Sequence, residues 1–359
     1  MKINKIFDYT KSVYIFFSFL SLIIFFFSTT KVNSKVFEID NVEISRPFEI
    51  EFNKNQVIDE GFEKAFQKLI KLIVNSSDLK KIKAIKQKEI KAMIDSFSIK
   101  EEKFINEIYY VNLGVSFNKK KIFKYLELKN IFPSIPNTKN FLFIPVIIEE
   151  NKKDLFIFSN NSVYEKWNET FEDYHLIKYI LPTEDLEDLD IIKKKYETIE
   201  QYDFKEIVNK YYLQDSIISL IFTKNNQIRT LSRITIKNNV FLKNRSFKNF
   251  NLDNEQHVAE IIKELKNDFE DYWKNSNQIN TSIKLPINIK LDSSDSVKIA
   301  NLEKTLEEKD LIYDYFITKF DKDFIIYEII FNGTPDLFIK SMEEKNFNLD
   351  TQNKVWLLK

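Results

Sequence analysis

The chain contains no cysteine. That excludes disulfide bonds, thiolate nucleophiles, thiolate metal sites and a lipid-anchored N-terminal cysteine. Glycine is almost as scarce: Gly61, Gly114 and Gly333 each stand alone. Loops that cradle phosphate need clustered glycine for close backbone approach, so the standard nucleotide loops are excluded. No Gly-x-Ser-x-Gly nucleophile elbow exists either. The two histidines, His175 and His257, are isolated and far apart. A histidine metal site needs several ligands at fixed spacing, so no metal and no cofactor is expected. Arginine occurs four times, as Arg46, Arg229, Arg233 and Arg245. The skew to Lys, Asn, Ile and Phe matches AT-rich codons and weakens any inference from lysine clusters. Neither sign of charge prevails, with 54 basic and 54 acidic residues, so no global field steers the chain to nucleic acid.

What is present begins with an address. Lys2, Lys5 and Lys11 form a basic stretch, Val13 to Phe27 an apolar one, and Ser28 to Ser34 a polar one. That order is an export signal, with Val32 and Ser34 fitting cleavage before Lys35. The alternative is an uncleaved anchor over residues 12–30, whose uncharged length approaches the ~20 residues that span a bilayer. Lysines ahead of the segment place the remainder outside the cytoplasm in either case, in the periplasm or anchored on the periplasmic side of the inner membrane. Membrane contact is then confined to residues 12–30.

At 43% hydrophobic and 30% charged, the remainder reads as globular rather than disordered. The expected class is α+β, built from several small modules. Residues 1–34 are the signal or anchor, 35–198 an N-terminal α+β domain, 199–278 an αββα middle module, and 279–359 a ferredoxin-like C-terminal domain. Lys35 to Ile44 reads as a strand. Ile58, Phe62, Phe66, Leu69, Ile70 and Ile73 recur at helical spacing, and a second, lysine-rich helix is expected from Leu79 to Phe97. Asn118 can cap a short helix. Asn151 to Asp154 signals a hairpin turn. Tyr164, Trp167 and Phe171 read as core on a helix. Val258, Ile261, Ile262, Leu265, Phe269 and Trp273 line one face of a long helix, with Asp253 and Gln256 at capping-box spacing.

The C-terminal order is βαββαβ, a helix-backed antiparallel sheet. Strands span Ser282 to Leu291, Leu311 to Lys319, Asp323 to Phe331 and Lys354 to Leu358. Helices start at Ser296 and Thr334, the latter with Pro335 at its first position. Ile312, Phe316, Phe324, Ile326, Ile329, Leu337, Phe338 and Met342 are the expected core, and Gly333 the expected positive-φ residue.

Three segments carry a family likeness: Ala65-Phe66-Gln67-Lys68-Leu69-Ile70-Lys71-Leu72, Leu181-Pro182-Thr183-Glu184-Asp185-Leu186-Glu187-Asp188-Leu189, and Phe331-Asn332-Gly333 through Trp356. With the export signal, they resemble the bacterial family catalogued as domain of unknown function 2066. The resemblance implies an exported envelope protein and supplies no activity.

The sharpest local feature is acidic: Glu184, Asp185, Glu187, Asp188 and Asp190. Two carboxylates at hydrolytic spacing, or a calcium site, would need such residues. The plainer expectation is a helix started by Pro182 and Thr183, whose first-turn acids complement the dipole. Arg229 and Arg233 fall on one face of a strand and form either an anion site or cross-strand ion pairs. The leading expectation is a non-enzymatic envelope protein that binds protein partners as an interaction or assembly module. The alternatives are a carboxylate-dependent hydrolase of an envelope polymer, using Glu184, Asp185, Glu187 or Asp188, and a periplasmic small-molecule-binding protein.

Overall fold

The computed structural model describes residues 37–359, apart from 83, 84, 170, 171 and 173. The export segment 1–34, Lys35 and Phe171 lie outside the described residues. The described chain is α+β, in three modules that each carry a sheet. No described helix is long and apolar enough to cross a membrane.

The N-terminal module comprises β1 (Glu38–Pro47), α1 (Lys54–Ile73), α2 (Gln87–Met93), β2 (Ile94–Ile105), β3 (Ile108–Phe117) and α3 (Lys119–Glu127). Its sheet order is β1-β3-β2. Asn53 caps α1, which buries Phe62, Phe66, Leu69, Ile70 and Ile73 as their spacing predicts. Gly61 allows the close approach, since a methyl there would collide with Leu113 of β3. Asn118 caps α3 by accepting from the Lys121 amide. The helix expected from Leu79 to Phe97 is instead one 3-10 turn, the short α2 and the start of β2. Almost every β2 side chain is exposed, so no buried periodicity marks it. Pairing with β3 makes it a strand.

The middle module holds β4 (Lys139–Glu149), β5 (Asp154–Phe156), α4 (Ser162–Lys166), β6 (Ile177–Ile180), α5 (Leu186–Lys194), α6 (Lys205–Lys210), β7 (Ser216–Lys224), β8 (Gln227–Ile236), β9 (Asn239–Lys248) and α7 (Glu255–Ser276). Its order is β5-β4-β7-β8-β9, with β6 also on β4. Strands β4 and β7 are parallel, which requires a crossover through the intervening helices. Both faces of this central pair are buried. Phe141, Phe143 and Ile217 pack under Val258, Ile261, Leu265 and Phe269 of α7. Leu142, Ile144 and Ile218 pack under Ile192 and Ile207 on the opposite side. The boundary expected between residues 198 and 199 therefore falls inside one unit, because β4 pairs with β7 from Leu142–Ser216 to Glu149–Thr223. The N-cap of α7 is Asn254, whose side chain accepts from the Gln256 and His257 amides, rather than Asp253.

The C-terminal module consists of β10 (Leu285–Asp292), α8 (Ser296–Glu308), β11 (Ile312–Phe320), β12 (Phe324–Phe331), α9 (Pro335–Glu343), β13 (Leu349–Asp350) and β14 (Trp356–Leu358). The order β11-β12-β10-β14-β13 places the βαββαβ elements in one sheet, with β13 added at the edge and β14 parallel to β10. Phe338 and Met342 are fully buried, but Phe316 and Leu337 are exposed. In β12 the buried residues are Ile325, Tyr327, Ile329 and Phe331, one position out of phase with the expected Phe324 and Ile326. Thr334 caps α9 as expected. Gly333 does not have positive φ; a Cβ there would lie 2.6 Å from the Phe331 ring, so the need is for space. The module starts later than residue 279, because Ile279 belongs to the N-terminal core. The first three strands of the N- and C-terminal modules share one pattern, with the third strand between the first and second.

Turns rely on asparagine. Among the described residues fourteen non-glycine positions have positive φ, nine of them Asn, and no glycine does.

Candidate functional site

The acidic cluster sits where α5 begins. Asp185 is the N-cap, accepting from the Glu187 amide, so the helix starts at Leu186 rather than at Pro182 and Thr183. Acids at this end favourably meet the helix dipole. Asp188 is buried and accepts from Lys210 Nζ at 2.6 Å; Asp185 accepts from the same ammonium at 3.0 Å. The Lys210 hydrogen bond and the Glu187 amide hold the Asp185 carboxyl below its ordinary range. These two acids thus pin α5 to α6. Glu184 and Glu187 are exposed, and Asp190 pairs with Lys194 one turn on. Among the described residues no group of three His, Asp or Glu is arranged to hold a metal ion.

Arg229 and Arg233 point to the same side of β8, as the strand period requires. Arg229 Nη2 donates to Glu200 Oε1 at 2.7 Å and its guanidinium lies 4.0 Å from the Phe222 ring centre. Arg233 donates to the carbonyls of Tyr202 and Glu200. The expected cross-strand ion pair does not form, because the residues opposite are Phe222 and Ile218 on β7 and Ser246 and Leu242 on β9. Both arginines instead anchor the 200–202 loop.

The histidines stand apart. His257 accepts from the Asn251 amide and stacks on Phe250. His175 lies near a buried charged row on α7 that sequence reading missed: Lys266, Glu270 and Lys274, one turn apart. Glu270 accepts from the Leu176 and Ile177 amides, and burial raises its carboxyl. Lys266 donates to the Trp167 carbonyl, and burial pushes its ammonium down to about 8. Lys274 donates to the Lys71 and Val74 carbonyls at the end of α1. Burial, then Lys266 and Lys274, lower the His175 imidazole to about 4. A depressed folded value means a contribution to stability that is complete above about 6.5 and is lost as pH falls through about 4. We expect the His175 ring protons to titrate near 4 by NMR, and the fall in urea midpoint over that window to flatten in His175→Gln.

A cleft of about 640 Å³ opens at the carboxyl ends of β4 and β7. Open α/β sheets bind ligands at that end of their parallel strands. Phe156 and Phe250 line it with Glu149, Asn160, Glu165 and Asn226. None of the four candidate acids lines it.

The other exposed feature is β9, which sequence reading missed because Val240, Phe241 and Leu242 do not alternate with polar residues. Val240 is 57% and Leu242 61% exposed. Among the described residues no strand pairs with the outer side of β9.

No family model matches the chain. No curated protein matches it either.

Proposed function

We propose that this chain is a non-enzymatic, exported envelope protein that works as an interaction module in the periplasm, either free or held to the inner membrane by residues 12–30. Its partners are proteins rather than nucleic acid. The likeness to the domain of unknown function 2066 family, carried by Ala65 to Leu72, Leu181 to Leu189 and Phe331 to Trp356, supports the address. The observation that carries the module reading is the open β9 edge, with Val240 and Leu242 uncovered beside it. Exposed apolar residues on an unpaired strand are a recurrent protein-binding device. The hydrolase reading is weaker, since Asp185 and Asp188 are both engaged by Lys210. A second reading, small-molecule binding, rests on the polar cleft at the strand ends.

Photo-crosslinkers placed at Val240 and at Asn226 in intact cells discriminate the two. Protein adducts at Val240 are expected, and their absence would count against the module. In parallel, Glu184→Ala with Glu187→Ala should keep both the melting temperature and complementation of a deletion strain. Loss of complementation by that fully folded double variant would favour the enzyme.

A further inference from the structure

We infer that β9 accepts an extended acidic segment of another polypeptide as an additional strand of the middle sheet. The inference deepens the interaction-module reading and rests on it.

Proteins blunt their sheet edges with short strands, bulges, proline or charge. Four long edge strands are described here. Register breaks interrupt β1 between Ile39 and Val42, where Pro47 also ends the strand. They interrupt β2 after Ile94 and Ile99, and β11 after Ile312 and Ile317. The remaining edges, β5, β6 and β13, have three, four and two residues. Only β9 runs ten residues along its neighbour, Asn239 to Lys248, with no break. Its tight turn at Lys237 and Asn238 makes Ile236 and Asn239 the first hydrogen-bonded pair. The N–H and C=O groups of Val240, Leu242, Asn244 and Ser246 therefore point to the open side.

Charge selects the occupant. Residues 227–248, the β8–β9 hairpin, carry Arg229, Arg233, Lys237, Lys243, Arg245 and Lys248 and no acidic residue, in a chain that is neutral overall. Three of the four arginines are here. Arg229 is matched by Glu200, and Lys243 and Arg245 by Asp268 and Glu264. The Arg233 guanidinium donates to two carbonyls, with Asp203 in Coulombic reach. The Lys237 ammonium donates to the Asn277 amide oxygen while its backbone N–H donates to Asp215, and Lys248 forms no ion pair among the described residues. Lys237 stands at the turn end of the edge and Lys248 at its far end, while Arg233 lies one strand in, on β8 opposite Leu242. A second copy would set hairpin against hairpin, cation against cation, which like-charge repulsion disfavours. An acidic strand with apolar alternate residues matches both the field and the uncovered Val240 and Leu242.

The test uses the full chain and a fluorescent peptide of β9's length that alternates valine and glutamate. Saturable binding is expected, with new exchange protection at the Val240, Leu242, Asn244 and Ser246 amides. Affinity should fall about tenfold or more in high salt and for the valine–lysine peptide. Asn244→Pro removes an outward N–H without touching the β8 ladder and should cause a similar loss, whereas Asn244→Ala should not. Retained protection of Ile234 and Phe247 establishes that the proline variant is folded. Equal binding of the lysine peptide, no protection along β9, or self-association through β9 would overturn the proposal. If protein adducts still form in cells at other surfaces, the module reading stands and only the acidic-strand assignment fails.

Discussion

Trp167→Ala is expected to destabilise the middle module by ~3–5 kcal/mol, the range for emptying a large buried aromatic site. Trp167 is fully buried, stacks on Phe143 at 3.8 Å between ring centres, and meets Tyr179 and Phe269. Those rings come from β4, β6 and α7, so the cavity would open where three elements meet and could not close by moving one. Its carbonyl also receives Lys266. Urea denaturation followed by the remaining tryptophans measures the loss. A change below about 1 kcal/mol would place the ring at a site that relaxes freely.

The second large effect is expected at Lys274. Its ammonium donates to two carbonyls of α1's last turn, Lys71 and Val74, and is itself buried. The same contact region includes Asp271, which accepts from the Ser76 amide and hydroxyl, and Asn275, which accepts from Asn75. Lys274→Ala leaves orphan carbonyls at a helix end, where hydrogen bonds from charged donors are each worth ~1.5–3 kcal/mol. We expect a loss of ~3 kcal/mol and faster amide exchange at Val74, whose N–H closes α1. Because burial also depresses the Lys274 ammonium, part of the lost favourable energy is offset by removing a charge that is costly to bury. Unchanged exchange at Val74 would show that the N-terminal and middle modules are joined by other contacts.

The elements legible in the sequence were those with one buried face. α1 and α7 carry apolar residues at helical spacing, and the structure buries those residues except Ile58, which is half-buried beside the buried Val57. The C-terminal strands alternate, so their positions were readable. The phase of β12 was not, because Phe324 to Tyr327 are all apolar and only packing under α8 and α9 selects the odd-numbered side. β2 was illegible for the opposite reason: with both faces exposed, nothing in Ile94 to Ile105 recurs. The module boundary was missed because β4 and β7 are far apart in sequence, and parallel pairing leaves no turn to read. At the candidate site, the acids at 184–190 were visible as a helix start. Lys210, which makes Asp185 and Asp188 a clasp, looked like any other lysine. The edge character of β9 depends on which strands lack a neighbour, a property that no local pattern carries.

The preference for asparagine over glycine in left-handed turns bears on how stability is divided between the two ends of the folding reaction. Glycine loses more freedom on folding than other residues, ~0.5–1 kcal/mol beyond alanine. A chain with three glycines in 359 residues therefore starts from a less disordered unfolded ensemble. Its native state instead carries the strain of nine asparagines at positive φ. Replacing an exposed turn asparagine such as Asn226 by glycine relieves that strain but restores the lost disorder, and the two changes oppose each other. Turn substitutions of that kind are therefore expected to be close to silent in this protein, with little change in the melting temperature of Asn226→Gly.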